Sequence, residues 1–247
     1  MLFSDLALAL DPVLFAGRRL GFAPDDWQAS VLQSSSKRLL LNCCRQSGKS
    51  TTAAVLALHT ALYRPGSLVL LVSPSLRQSS ELFRKVADFR DMLRPTLVEN
   101  NRLSCVFENG SRIVSLPGSE ATIRGFSGAD LIIEDEASRV SDDLYFAVRP
   151  MLAVSAGRLV LMSTPFGKRG HFWETWRTDN SGWEKTKFTA EDCPRITAEF
   201  LEEEKQALGD WWFRQEYLCE FLDSQSSAFS FDMLELVQAE EVETWQL

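Results

Sequence analysis

The sequence predicts an α/β domain built on a mostly parallel central sheet, and three observations carry that expectation. Short leucine- and valine-rich runs alternate with longer runs of helical periodicity. One apolar run enters a Gly-Lys-Ser turn and leaves it as a helix: residues 39–51 read LLLNCCRQSGKST. A second, residues 131–137, reads LIIEDEA and ends in two adjacent acids, Asp135 and Glu136.

Taken in order, residues 1–17 (MLFSDLALALDPVLFAG) are apolar but carry Asp5 and Asp11 and no basic leader, so they read as an amphipathic helix and not as a signal peptide. Strands are expected at 38–42, 67–73, 131–134, 158–163 and 185–189, and a helix over 50–62. Residues 102–116, RLSCVFENGSRIVSL, place two alternating runs around Asn109-Gly110, the strongest short-range hairpin signal in the chain. After Pro194 the pattern turns helical and acidic. Residues 1–192 are therefore expected to form the core, 193–223 a small helical subdomain, and 224–247 a linker or tail.

With 247 residues, 45% of them hydrophobic, the chain can bury a full core. Five cysteines and two histidines, with no C-x-x-C pair, support neither a disulfide framework nor a structural zinc site. No run reaches the roughly 18 apolar residues of a membrane span, so no membrane association is expected. The net charge of −8 complicates a nucleic-acid-binding reading, since a dedicated duplex binder usually shows a basic face, and contacts to a phosphate backbone would have to be local. Arg77, Arg84, Lys85, Arg90, Arg94 and Arg102 interleave with Glu81, Asp88, Asp91 and Glu99. For most of them, a solvated helix face laced with ion pairs is the simpler reading.

The turn at Gly48-Lys49-Ser50 has the form of a phosphate-binding loop. A tight turn between strand and helix aims successive backbone N–H groups and a helix N-terminus at phosphate oxygens, with Lys49 pairing with the β- and γ-phosphates. Residues 45–51, Arg45, Gln46, Ser47, Gly48, Lys49, Ser50 and Thr51, are thus candidate nucleotide contacts. Cys43 stands where the usual pattern has its first glycine. Ser50 and Asp135 offer hard oxygen ligands for Mg²⁺, and Glu136 is placed to orient or deprotonate an attacking water.

The segments PDDWQ (24–28), CRQSGKS (44–50), VSPSLRQSSELF (72–83), IRGFSGADLIIEDEAS (123–138), LMSTPFGKRGHFW (161–173) and WFRQEYLCEF (212–221) together resemble the ATPase domain of the large terminase subunit of tailed bacteriophages. The resemblance spans nearly the whole chain. It implies a P-loop NTPase of the additional-strand, RecA-like type, with a strand inserted between the two nucleotide-binding strands, the hairpin, and a helical lid. It also implies ATP and Mg²⁺ as cofactors, and ATP hydrolysis that packages double-stranded viral DNA into a procapsid. The partners it implies are double-stranded DNA, the portal protein, the small terminase subunit and further copies in a ring, expected to be a pentamer, in the cytoplasm of an infected bacterium. The family's second, nuclease domain finds no room after residue 225.

Carried over residue by residue, the resemblance makes Gln28 an adenine-reading glutamine, although a surface glutamine at a helix start is an equal reading. Arg45 reaches the γ-phosphate of its own subunit. Ser163 and Thr164 belong to a coupling motif that senses the γ-phosphate. Arg124, ahead of the acidic strand, would face away from its own nucleotide and serve a neighbour's as a finger, with Arg139 as a second candidate. Two other readings stay open: a helicase-like nucleic-acid-remodelling ATPase, and a non-catalytic nucleotide-binding assembly module, for which Cys43 is the hint.

Overall fold

The computed structural model describes residues 3–118, 125–179 and 182–223, so Arg124 and the tail 224–247 lie outside the described residues. Eight strands form one sheet: β1 (Arg38–Cys43), β2 (Leu68–Ser73), β3 (Leu97–Asn100), β4 (Ser104–Phe107), β5 (Arg112–Pro117), β6 (Leu131–Asp135), β7 (Arg158–Ser163) and β8 (Glu184–Phe188). Their spatial order is β3-β4-β5-β2-β6-β7-β1-β8. From β5 to β8 every pairing is parallel. All five expected strands are present, and β6 runs one residue further than expected, through Asp135.

The order places β7 between β1, which leads into the Gly-Lys-Ser turn, and β6, which carries the acids. That is the inserted strand of the expected fold. The Asn109-Gly110 hairpin forms as β4 and β5, with Gly110 at φ 82°. It is not a separate excursion: β5 also pairs in parallel with β2, and β3 adds an antiparallel edge.

Nine helices flank the sheet among the described residues: α1 (Phe3–Leu10), α2 (Pro12–Leu20), α3 (Asp26–Gln33), α4 (Lys49–Tyr63), α5 (Leu76–Leu93), α6 (Asp142–Val148), α7 (Gly170–Arg177), α8 (Ala198–Leu208) and α9 (Asp210–Glu216). The amphipathic N-terminal stretch is two helices, not one. Pro12 cannot continue α1, and the Asp11 carboxylate accepts from the N–H groups of Val13 (2.9 Å) and Leu14 (3.2 Å), so a new helix starts there.

The strands are buried on both faces, and their alternation sorts side chains into two cores. Leu39 and Leu41 of β1 and Leu131 and Ile133 of β6 pack with Val55 and Leu58 of α4. Leu40 and Ile132 point the other way, toward Tyr145 of α6 and Phe172 of α7. Phe213 and Tyr217 join the α4-side core, their rings stacked 5.3 Å apart, and so attach α9 to it. Trp212, on the same helix, is 43% exposed.

Candidate functional site

The turn after β1 is shaped by two left-handed residues, Gln46 at φ 62° and Gly48 at φ 94°. At φ 94° a side chain on residue 48 would be strained, and its Cβ would stand 2.5 Å from the Gln28 amide nitrogen, which would have to shift, so the turn favours glycine there. Cys43 needs no glycine: it is not among the positive-φ residues and still pairs in β1 with Phe188 of β8. Burial pushes its thiol up to about 12 and that of Cys44 to about 11, so neither is a nucleophile near neutral pH.

Residues 45–51 line a cavity of about 350 Å³ together with Glu136 and Lys85. Lys49 is buried and folds back, its ammonium donating to the carbonyls of Cys43 (3.1 Å) and Cys44 (2.9 Å). Those bonds are what a phosphate at the helix N-terminus would replace. On the outside of the turn, the Ser47 carbonyl accepts from Gln28 Nε2 (3.3 Å) and from an Arg195 guanidinium nitrogen (3.0 Å). Arg195 is itself paired with Asp25 at 2.6 Å. Gln28 also accepts from the Asp25 N–H at 2.9 Å and is 1% exposed, so here it braces the turn and does not line the cavity.

At the end of β6 the two acids take different environments. Asp135 is 7% exposed. Burial, and next to it Glu136, push its carboxyl up to about 7, against the opposing pull of Lys49. Glu136 sits in left-handed backbone (φ 52°, ψ 42°), a strained conformation for a residue with a side chain, and that turn aims it into the cavity. Among the described residues no group of three or more His, Cys, Asp or Glu side chains could cage a metal by itself. Ser50 and Asp135 instead suit a Mg²⁺ ion that keeps waters and shares phosphate oxygens, and the raised Asp135 carboxyl is the state of an acid whose charge such an ion would meet.

Two arginines meet a carboxylate that the sequence did not single out. Glu216, at the end of α9, accepts from Arg139 at 3.4 Å and lies 3.8 Å from Arg45. Its carbonyl also accepts the Arg45 N–H at 3.3 Å. Arg139 lies 3.9 Å from Glu136 and stacks 4.1 Å over Phe166. The second finger candidate is thus engaged with its own chain's acids, while the first, Arg124, lies outside the described residues. Ser163 and Thr164 are buried and do not line the cavity. Both meet Ser138, two residues beyond Glu136, whose hydroxyl bonds that of Ser163 (2.7 Å) and donates to the Thr164 carbonyl (2.8 Å).

Residues 40–236 match the family model for the terminase large subunit, T4likevirus-type, N-terminal. The large terminase subunit of Thermus phage G20c is 30% identical over 259 residues, covering 90% of this chain and 53% of that protein. The chain therefore spans about half the length of the curated relatives it matches. Among solved structures, the large terminase ATPase domain of Thermus phage P74-26 superposes with a TM-score of 0.76 at 25% identity, covering 86% of this chain and all of that one. The large terminase of bacteriophage HK97 gives 0.73 at 14% identity over 92% of this chain and 58% of its own, a likeness of fold alone. The large terminase of a thermophilic bacteriophage, solved in complex with ADP, gives 0.66 at 10% identity over 80% of this chain and 54% of its own, again a likeness of fold.

Proposed function

The chain belongs to the large terminase subunit family, in its N-terminal ATPase part, and from that premise we propose that it hydrolyses ATP to drive double-stranded DNA into a procapsid. The observation that carries this reading is the convergence of Lys49, Ser50 and Glu136 on one cavity. ATP would enter with its phosphates against the turn, and Lys49 would leave the carbonyls of Cys43 and Cys44 for the β- and γ-phosphates. Mg²⁺, held by Ser50 and Asp135, supplies charge neutralisation of the phosphates when bound. Glu136 accepts a proton from water as that water attacks the γ-phosphorus, and the bond to the β,γ-bridging oxygen breaks to give ADP and phosphate. The non-catalytic alternative loses its one support, because Cys43 occupies a strand position that never required glycine.

The same reading takes residues 193–223 as a helical lid subdomain on a core of residues 1–192, with 224–247 as a linker or tail. Among the described residues no helix is long and apolar enough to cross a membrane. Partners are proposed as duplex DNA, portal, small subunit and neighbouring copies in a ring, acting in the host cytoplasm. Arg124 is proposed as the finger for the neighbouring nucleotide. ATP turnover per subunit that rises with protein concentration in wild type, and not in Arg124→Ala, would support that role. A flat rate in both would refute it.

A further inference from the structure

Lys85 stands apart from the charged residues around it. Arg84 pairs with Glu81, and Arg90 with Asp91 at 2.7 Å. Lys85 has acids at helical spacing on both sides, Glu81 four residues before it and Asp88 three after, yet none of the described carboxylates lies within ion-pair reach. It lines the cavity of the phosphate turn instead. The cause lies in the fold. The α5 helix begins just after β2 ends, at the same sheet edge as the turn, and helical side chains lean toward the N-terminus of their helix. A long side chain in the middle of α5 therefore reaches back toward that edge. Leu82 and Val86 seat α5 in the core beside α4 and fix the direction of Lys85.

We propose that Lys85 is a nucleotide-binding residue acting within its own chain, its ammonium contacting the phosphates of the bound nucleotide from the α5 side. This rests on the nucleotide reading of the cavity. The lining has one acid, Glu136, against the cations Arg45, Lys49 and Lys85. Lys49 is committed to two carbonyls until phosphate arrives, and Arg45 lies near Glu216. Lys85 alone of the three is an exposed cation with no partner to give up among the described residues, and an ammonium recognises phosphate as a compact point charge with three donors.

The test uses the full chain with ATPγS and ADP as titrants and ATP turnover measured alongside. Lys85→Ala should weaken ATPγS binding and raise KM for ATP by about three- to tenfold, as befits a solvent-accessible ammonium–phosphate contact. The kcat should stay within about twofold, Lys85→Arg should restore binding, and Arg84→Ala should change nothing. Because Lys85 is exposed, the thermal midpoint should not move. Wild-type affinity in Lys85→Ala would overturn the proposal, as would loss of duplex-DNA binding with nucleotide affinity intact, which would assign the charge to a DNA contact. A wild-type chain that binds neither titrant would overturn the nucleotide reading itself.

Discussion

Glu134 and Asp135 are neighbours on β6, both buried, and the alternation of the strand sends them to opposite faces with opposite outcomes. On the α6–α7 face, Glu134 meets an imidazole inside the protein, which opposes the burial that pushes its carboxyl up. It bonds His171 Nε2 at 2.6 Å, while His171 Nδ1 reaches Asp142 at 3.1 Å and the imidazole stacks on Tyr145 at 4.2 Å. On the α4 face, Asp135 has Lys49 and the Glu136 N–H (3.1 Å) to oppose its burial, and Lys49 is bonded to backbone carbonyls. The structural acid is enclosed with its imidazole partner, whereas the functional one stands at the strand end beside the cavity that a cation would enter with substrate.

The largest effect that would break this contrast is on the α4 face. Lys49→Ala should abolish measurable ATP turnover, a loss on the order of 10³-fold or more. Retained turnover would remove the cavity from the mechanism. On the other face, Glu134→Gln or His171→Ala should cost about 3 kcal/mol or more of stability in denaturant titration, because each leaves a buried partner uncompensated. Asp135→Asn should leave stability equal or higher while eliminating Mg²⁺-dependent turnover. An Asp135→Asn chain as destabilised as Glu134→Gln would show that the two acids do the same structural work.

Burial alone would lower the His171 pKa, but Glu134 and Asp142 on either side outweigh it and raise it above the ordinary 6.5. Stability from the protonated imidazole is therefore complete below 6.5 and is lost as pH rises through the raised folded value. Wild type should lose stability over that interval relative to His171→Gln, and parallel pH profiles of the two would contradict the assignment. The smallest effect is at the N-terminus. Removing the Asp11 cap with Asp11→Ala should cost about 1 kcal/mol with turnover unchanged.

What was legible in the sequence is what local chemistry dictates. Four of the five expected strands were carried by leucine-, isoleucine- and valine-rich runs, the fifth reading EKTKF, and the turn by Gly48, whose φ of 94° side chains rarely adopt. The acids were placed by their position at a strand end. Long-range pairings left no local mark. Nothing in the spacing of Glu216 shows that the end of α9 returns to Arg45 and Arg139, nor that Arg195 grips the Ser47 carbonyl. Lys85 was hidden because its neighbours do form the ion pairs that its own spacing also allows. Pro12 marks a helix break that the apolar pattern around it obscures.

The most direct test of ATP hydrolysis at this cavity compares wild type with Glu136→Gln in ATP turnover and thermal unfolding side by side. Loss of the water-activating carboxylate should lower kcat by about 10²- to 10⁴-fold while ATPγS binding and the unfolding midpoint stay close to wild type. Turnover equal to wild type in a folded, nucleotide-binding Glu136→Gln chain would contradict the account.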